Sequence, residues 1–136
     1  MSDYEATGDC YEAAFEFLME ACVGPHWLME LYANDGERLR ECPLLLVHAE
    51  AVGQGPIAGI RFGHAFVLDP EKRIVFEVAN GRRDAIPQAL YYRLGQIDDS
   101  KEARENFKYI EYTADEALDA IRDARHYGPW DLETEY

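Results

Sequence analysis

The chain has 136 residues and a mass of 15.6 kDa, a size at which one core can bury roughly two-thirds of the unfolded surface without staples. Hydrophobic residues make up 48% and charged residues 29%, with nine Tyr, six Phe and two Trp, which excludes wholesale disorder and leads us to expect a single domain over residues 1–136. Thirteen basic residues against 27 acidic ones give a net charge of −14, with no basic cluster larger than Arg82-Arg83, so nucleic-acid and anionic-membrane binding are disfavoured and a basic protein or peptide is the favoured partner.

The opening Met-Ser-Asp-Tyr-Glu is acidic and polar where a secretory signal would be basic and then apolar, and no apolar run approaches a membrane span. Three cysteines, at 10, 22 and 42, cannot all pair within one chain and form no Cys-x-x-Cys. Cys22 and Cys42 read as a core and a loop thiol, and the expected setting is a reducing cytoplasm.

From Asp9 the pattern turns helical, with Tyr11, Ala14, Phe15, Leu18 and Cys22 on one stripe. Asp9 and Glu12 have the spacing of a capping box, which puts Cys10 in the first turn; Gly24-Pro25 ends the helix. A second helix is predicted from His26 to Tyr32, closed by Asn34-Asp35-Gly36. Leu44 to Val52 is short, apolar and bounded by Pro and Gly, and reads as a strand. The following Gly53-Gln54-Gly55-Pro56-Ile57-Ala58-Gly59 lacks the Lys-Ser/Thr of a Walker loop and reads as a strand connection.

Phe62–Leu68 and Arg73–Ala79 flank Asp69-Pro70-Glu71-Lys72, a hairpin signal. A short helical stretch follows near Pro87 to Leu94, then a charged segment from Asp98 to Glu105 and a fourth strand from Phe107 to Tyr112. Thr113 and Glu116 form a second capping box opening a last helix, and the tail His126-Tyr-Gly-Pro-Trp130 is rigid and aromatic. Helices, then antiparallel strands, then a helix predict an α+β fold in which sequential strands make one sheet with the helices packed on it.

Cys10 is the position that points to chemistry. A thiol in the first turn of a helix meets unpaired backbone N–H groups and the positive end of the dipole, which favour the nucleophilic thiolate. The plain alternative is a small buried helix residue. His64, a polar ring in the apolar strand Gly63-His64-Ala65-Phe66-Val67, needs a partner. A tight turn at Pro70-Glu71 puts Glu77 directly across from it, and a looser turn or bulge puts Asn80 there instead. Either one accepts the ring N–H and leaves the second nitrogen to face a thiol.

Asp9-Cys10 opening a helix, Gly63-His64-Ala-Phe-Val on a strand and Phe76-Glu77-Val78-Ala79-Asn80-Gly81 after a turn resemble the papain-like superfamily of cysteine hydrolases. Its small NlpC/P60 and transglutaminase-like or acetyltransferase-like members are the most similar. The resemblance covers Asp9 to Gly81 and implies Cys10 as nucleophile, His64 as general base and Glu77 as orienter. It departs from the family in having Glu where Asp is usual, in lacking the second His common in NlpC/P60 proteins, and in having no glutamine before Cys10 as an oxyanion donor. Half of an oxyanion hole then falls to the backbone N–H of Cys10, with Gln54 as the candidate for the other half and Trp130 as a candidate substrate contact. Gly53-Gln54-Gly55-Pro56, Phe62-Gly63-His64, Asn80-Gly81-Arg82 and Tyr127-Gly128-Pro129-Trp130-Asp131 also resemble a group of short bacterial and phage proteins, implying such an origin and no reaction.

Other constellations weigh less. His48 and Glu50 share a strand face, and with His64 and Cys10 they would offer zinc ligands, but no His-x-x-x-His or paired cysteines support a metal; no cofactor is implied. His26 and His126 read as packing or capping residues. Tyr91, Tyr92, Tyr109, Tyr112 and Trp130 read as core aromatics or as a cleft wall. Two functions are expected to compete. One is a cysteine-dependent hydrolase or acyl transferase acting on an amide, isopeptide or thioester carbonyl. The other is a non-catalytic acidic interaction protein, an inhibitor or nucleic-acid mimic, in which His64 and Glu77 form a structural pair. A mimic needs its carboxylates in one stripe, whereas here they are spread over every segment, which favours the enzyme.

Overall fold

The structure, a computed structural model, describes residues 9–34, 36–53 and 59–133. Five antiparallel strands make one sheet: β1 (Leu45–Val52), β2 (Arg61–Asp69), β3 (Ile74–Glu77), β4 (Asp84–Pro87) and β5 (Tyr109–Thr113), in the order β4-β3-β2-β1-β5. With α1 (Cys10–Cys22), α2 (Trp27–Asn34), α3 (Glu37–Glu41), α4 (Gln88–Leu94), α5 (Lys101–Glu105) and α6 (Ala114–Ala124), the fold is α+β. No helix among the described residues is long and apolar enough to cross a membrane.

Helices cover both faces of the sheet. On one, Cys10, Phe15 and Leu18 of α1, Leu39 of α3 and Ala117 of α6 pack on Leu46, Ala65, Val67 and Tyr112. On the other, Tyr92 of α4, Ile97 of the connection after it and Ala103 of α5 pack on Val47, Ala49, Phe66, Val75 and Tyr109. A central strand buried on both faces does not alternate, and Leu45–Val52 is apolar on both faces except at His48 and Glu50. Strands β1 to β3 are sequential neighbours as expected, an unexpected β4 extends the sheet beyond β3, and β5, the strand expected to follow β3, joins the far side of β1. The crossing is made by α4 and α5, whose apolar side chains need the second face.

Local departures have local causes. The Asp84–Pro87 segment is a strand that its sequence conceals, because a short edge strand ending in proline with mostly exposed side chains shows no apolar alternation. In the charged 98–105 segment, Ser100 Oγ accepts the Ala103 N–H at 3.2 Å and opens α5. Thr113 and Glu116 make the reciprocal capping box that opens α6, at 3.2 and 2.9 Å. Asp9 does not form the capping box expected with Glu12: its backbone is already helical and its side chain caps nothing in α1. Asp9 Oδ1 instead accepts the N–H of Asn80 at 3.1 Å.

The β2–β3 hairpin is looser than a two-residue turn. Asp69 Oδ1 accepts the N–H groups of Glu71 and Lys72, both at 3.1 Å, and Arg73 takes φ +58°. Val67 therefore pairs with Phe76 rather than Ile74, a slip of two residues. A slip of two preserves the face on which every side chain lies.

Cys22 and Cys42 form a disulfide, Cα to Cα 5.5 Å. This corrects the reading of both as free thiols: α3 returns the loop before β1 to the end of α1, a closeness across 20 residues that spacing does not reveal. Closing a loop of that length constrains the unfolded chain by about 3 kcal/mol. Cys22→Ser/Cys42→Ser is expected to lose about 3 kcal/mol in urea unfolding, and an unchanged midpoint would refute the contribution.

His48, on the α1 face of β1, is fully buried, and neither ring nitrogen has a hydrogen-bond partner among the described residues. Tyr11, Tyr112 and Trp130 surround it with ring centroids 4.9, 5.0 and 4.9 Å away. Gly128, at φ +122°, lies so close that a Cβ there would sit 2.8 Å from His48 Cε1. Burial, reinforced by the charge on His64, lowers the His48 pKa to about 3. An unfolded imidazole takes a proton near pH 6.5, so this site favours the fold fully above 6.5 and loses that advantage as pH falls toward 3. His48→Phe should gain stability relative to wild type progressively below pH 6.5; parallel stability curves from pH 7 to 4 would show that His48 is not held neutral.

Candidate active site

His64 lies near the outer end of β2, on the face it shares with its cross-strand partner Ala49 and with Phe66. Glu77 ends β3 on that same face by alternation from Val75. The slip leaves the two diagonal rather than directly opposed, within reach of their long side chains. His64 Nε2 lies 2.7 Å from Glu77 Oε1, with side chains 12% and 4% exposed.

The β2–β3 ladder runs only over Val67–Asp69 and Ile74–Phe76. Beyond it β3 turns away into a single 3₁₀ turn, Ala79–Gly81, and the start of α1 is held there by the Asp9–Asn80 bond. Although α1 packs on the opposite face, its first residue reaches His64 through this divergence. The Cys10 side chain, 1% exposed, interacts with the His64 ring and favours its protonated form. Because Nε2 is turned to Glu77, Nδ1 is the nitrogen left to the sulfur.

Burial alone would lower the His64 pKa. Its interactions with Cys10 and with the Glu77 carboxylate outweigh it and raise His64 to about 10. Burial would likewise raise Glu77, but the bond and charge of His64, the Tyr91 hydroxyl and the Ala79 N–H hold it down at about 2. The Ala79 N–H donates to Glu77 Oε2 at 3.0 Å, and the Tyr91 hydroxyl donates to Oε1. A carboxylate with three donors, an imidazolium and a sulfur thus stand in line, the arrangement that nucleophilic cysteine chemistry requires.

Other expected residues lie elsewhere. Asn80 is exposed, has φ +58°, and is hydrogen-bonded to Asp9 through its backbone; it does not orient His64, because the slipped register and the turn after Glu77 carry it past the ring. Trp130 packs on His48 and Tyr112, 4.9 and 5.1 Å between centroids, and its Nε1–H donates to His126 O at 2.8 Å. It covers the α1 face and is not a wall of the Cys10–His64 pair. Gln54 lies outside the described residues. His48 and His64 occupy opposite faces of the sheet, so the zinc constellation does not assemble, and no group of three or more potential ligands exists among the described residues.

Tyr91 is the site residue that sequence reasoning left among general aromatics. The available signal was the Tyr-Tyr pair on a short helix after Pro87, but its use depends on where α4 docks. Comparison of the chain with protein-family models, curated proteins and solved structures finds no match.

The pair's effect on stability has a defined window. An unfolded histidine deprotonates near 6.5 and the folded one near 10, so His64 contributes fully below pH 6.5 and its contribution is lost as pH rises toward 10. Glu77 contributes fully above its ordinary 4.5 and less as pH falls toward 2. The stability difference between wild type and Glu77→Gln is therefore expected to be greatest between pH 4.5 and 6.5 and to shrink on both sides. A difference independent of pH would contradict an ionised pair.

Proposed function

We propose that this chain is a cysteine-dependent hydrolase or acyl transferase of papain-like arrangement, acting on an amide, isopeptide or thioester carbonyl. The observation that carries the reading is the single imidazole held between the Cys10 sulfur and the buried Glu77 carboxylate. The reading is supported by the position of the candidate nucleophile at a helix start and of the candidate base and acid on antiparallel strands. A purely adhesive acidic protein uses none of this network.

In the proposed reaction the Cys10 sulfur attacks the carbonyl carbon while its proton resides on His64 Nδ1. The S–C bond forms, the carbonyl electrons move onto oxygen, and their return expels the leaving amine or thiol, which takes the proton from His64. The acyl-enzyme then passes to water or an amine deprotonated by the neutral ring. The backbone N–H of Cys10, which Asp9 leaves uncapped, is the proposed oxyanion donor. The favoured substrate is a protein or peptide with basic character, drawn by the −14 charge. With Cys22 and Cys42 paired, the cysteines no longer favour a reducing cytoplasm.

Since Cys10 is the free cysteine, thiol reagents applied to the oxidised protein report on it alone. With p-nitrophenyl acetate as acyl donor, we expect a burst of nitrophenol and an acetyl group on Cys10. Both should be absent in Cys10→Ala, and the burst should be slower by about 10² or more in His64→Ala. Equal rates in wild type and Cys10→Ala, with the folded state of both verified by circular dichroism, would overturn the proposal.

A further inference from the structure

We propose that Tyr91 is a positioning residue of this site: by giving its proton to Glu77 and turning its oxygen to His64 Nε2, it leaves Nδ1 as the nitrogen that exchanges a proton with Cys10. The inference rests on the Cys10–His64–Glu77 reading and extends it to an element, α4, that the three residues do not include.

The donors and acceptors around Nε2 decide where the protons lie. Tyr91 Oη lies 3.0 Å from His64 Nε2, and its hydroxyl is hydrogen-bonded to the same Glu77 Oε1 that His64 contacts. An ionised carboxylate only accepts, so the one phenolic proton is committed to Glu77 and the phenol oxygen faces Nε2 as an acceptor. Both groups at Nε2 are then acceptors. A ring nitrogen between two acceptors keeps its hydrogen even when the ring is neutral, which fixes the tautomer with the lone pair on Nδ1. A Tyr91 that donated to Nε2 would stabilise the opposite, non-productive tautomer.

The rest of the surroundings enforce this direction. Glu77 Oε2 is occupied by the Ala79 N–H, so the carboxylate cannot turn to satisfy Tyr91 and His64 with different oxygens. The Tyr91 ring packs edge-on against Phe66, 5.0 Å between centroids, and Phe66 also contacts Tyr92 and lies beside His64. Burial and the Glu77 charge push the Tyr91 hydroxyl above its ordinary range, so it keeps its proton. Arg82, the cation acting on Tyr91, is itself paired with Asp84 at 2.7 Å.

Tyr91→Phe removes only the oxygen, and Tyr92→Phe, on the same helix but hydrogen-bonded to Tyr109, is the control. The Glu77 carboxyl, followed by ¹³C NMR, should titrate about one pH unit higher in Tyr91→Phe, the loss of one hydrogen bond to a charged group, and unchanged in Tyr92→Phe. Alkylation of Cys10 by iodoacetamide at pH 7 should slow about tenfold in Tyr91→Phe, with the acid limb of its pH profile displaced upward, and stay within about twofold in the control. If Cys10 in wild type reacts faster than in His64→Ala but Tyr91→Phe matches wild type in rate and titration, the Tyr91 assignment is wrong and the sulfur–imidazole reading stands. If wild type reacts no faster than His64→Ala, that reading fails and takes this one with it.

Discussion

The Glu77 carboxylate is a negative charge inside the protein, 3% exposed, and the arrangement of the site follows from how it is satisfied. Its three donors come from three elements: His64 from β2, Tyr91 from α4 and the Ala79 N–H from the turn after β3. A buried ion pair gains little net stability when complete but is costly to break, about 3 to 5 kcal/mol when one partner is removed. Any displacement of β3 relative to β2 or α4 strands a charge. The electrostatics therefore select one relative placement of elements that apolar packing alone would let slide.

The second requirement is that α1 present its first residue at the place where β2 and β3 part. The helix is tied at both ends: Asp9 to the Asn80 N–H at its start, and Cys22 to Cys42 at its finish. Between them its apolar stripe lies on the sheet and α6. A helix restrained along its axis and about it holds Cys10 against His64 without any side-chain cap on the thiol's own turn. The Asp9 carboxylate, by spending itself on Asn80, also leaves the first-turn N–H groups to other acceptors.

Two buried histidines on neighbouring strands show how environment divides one residue type. His48 sits among three aromatic rings and a glycine with no acceptor in reach, so desolvation governs and it stays neutral. His64, on the opposite face, sits between a sulfur and a carboxylate, and those interactions overcome desolvation and keep it charged. The pattern around each ring in the sequence is much the same, a histidine set among apolar strand residues.

The features legible in the sequence were those set by short-range periodicity: the apolar stripe of α1, the Thr113–Glu116 cap, the strands β1, β2, β3 and β5, and the placing of His64 and Glu77 on one sheet face. That last expectation survived a wrong register because side-chain direction repeats every two residues and the slip was two. Tertiary structure alone decided what depends on distance through space: the Cys22–Cys42 bond, the use of Asp9 on Asn80 rather than on its own helix, the edge strand β4, and the docking of α4 that carries Tyr91 to Glu77. A local pattern states which way a side chain points, but a partner far along the chain is chosen only when the core closes and every buried polar group must find its donor or acceptor.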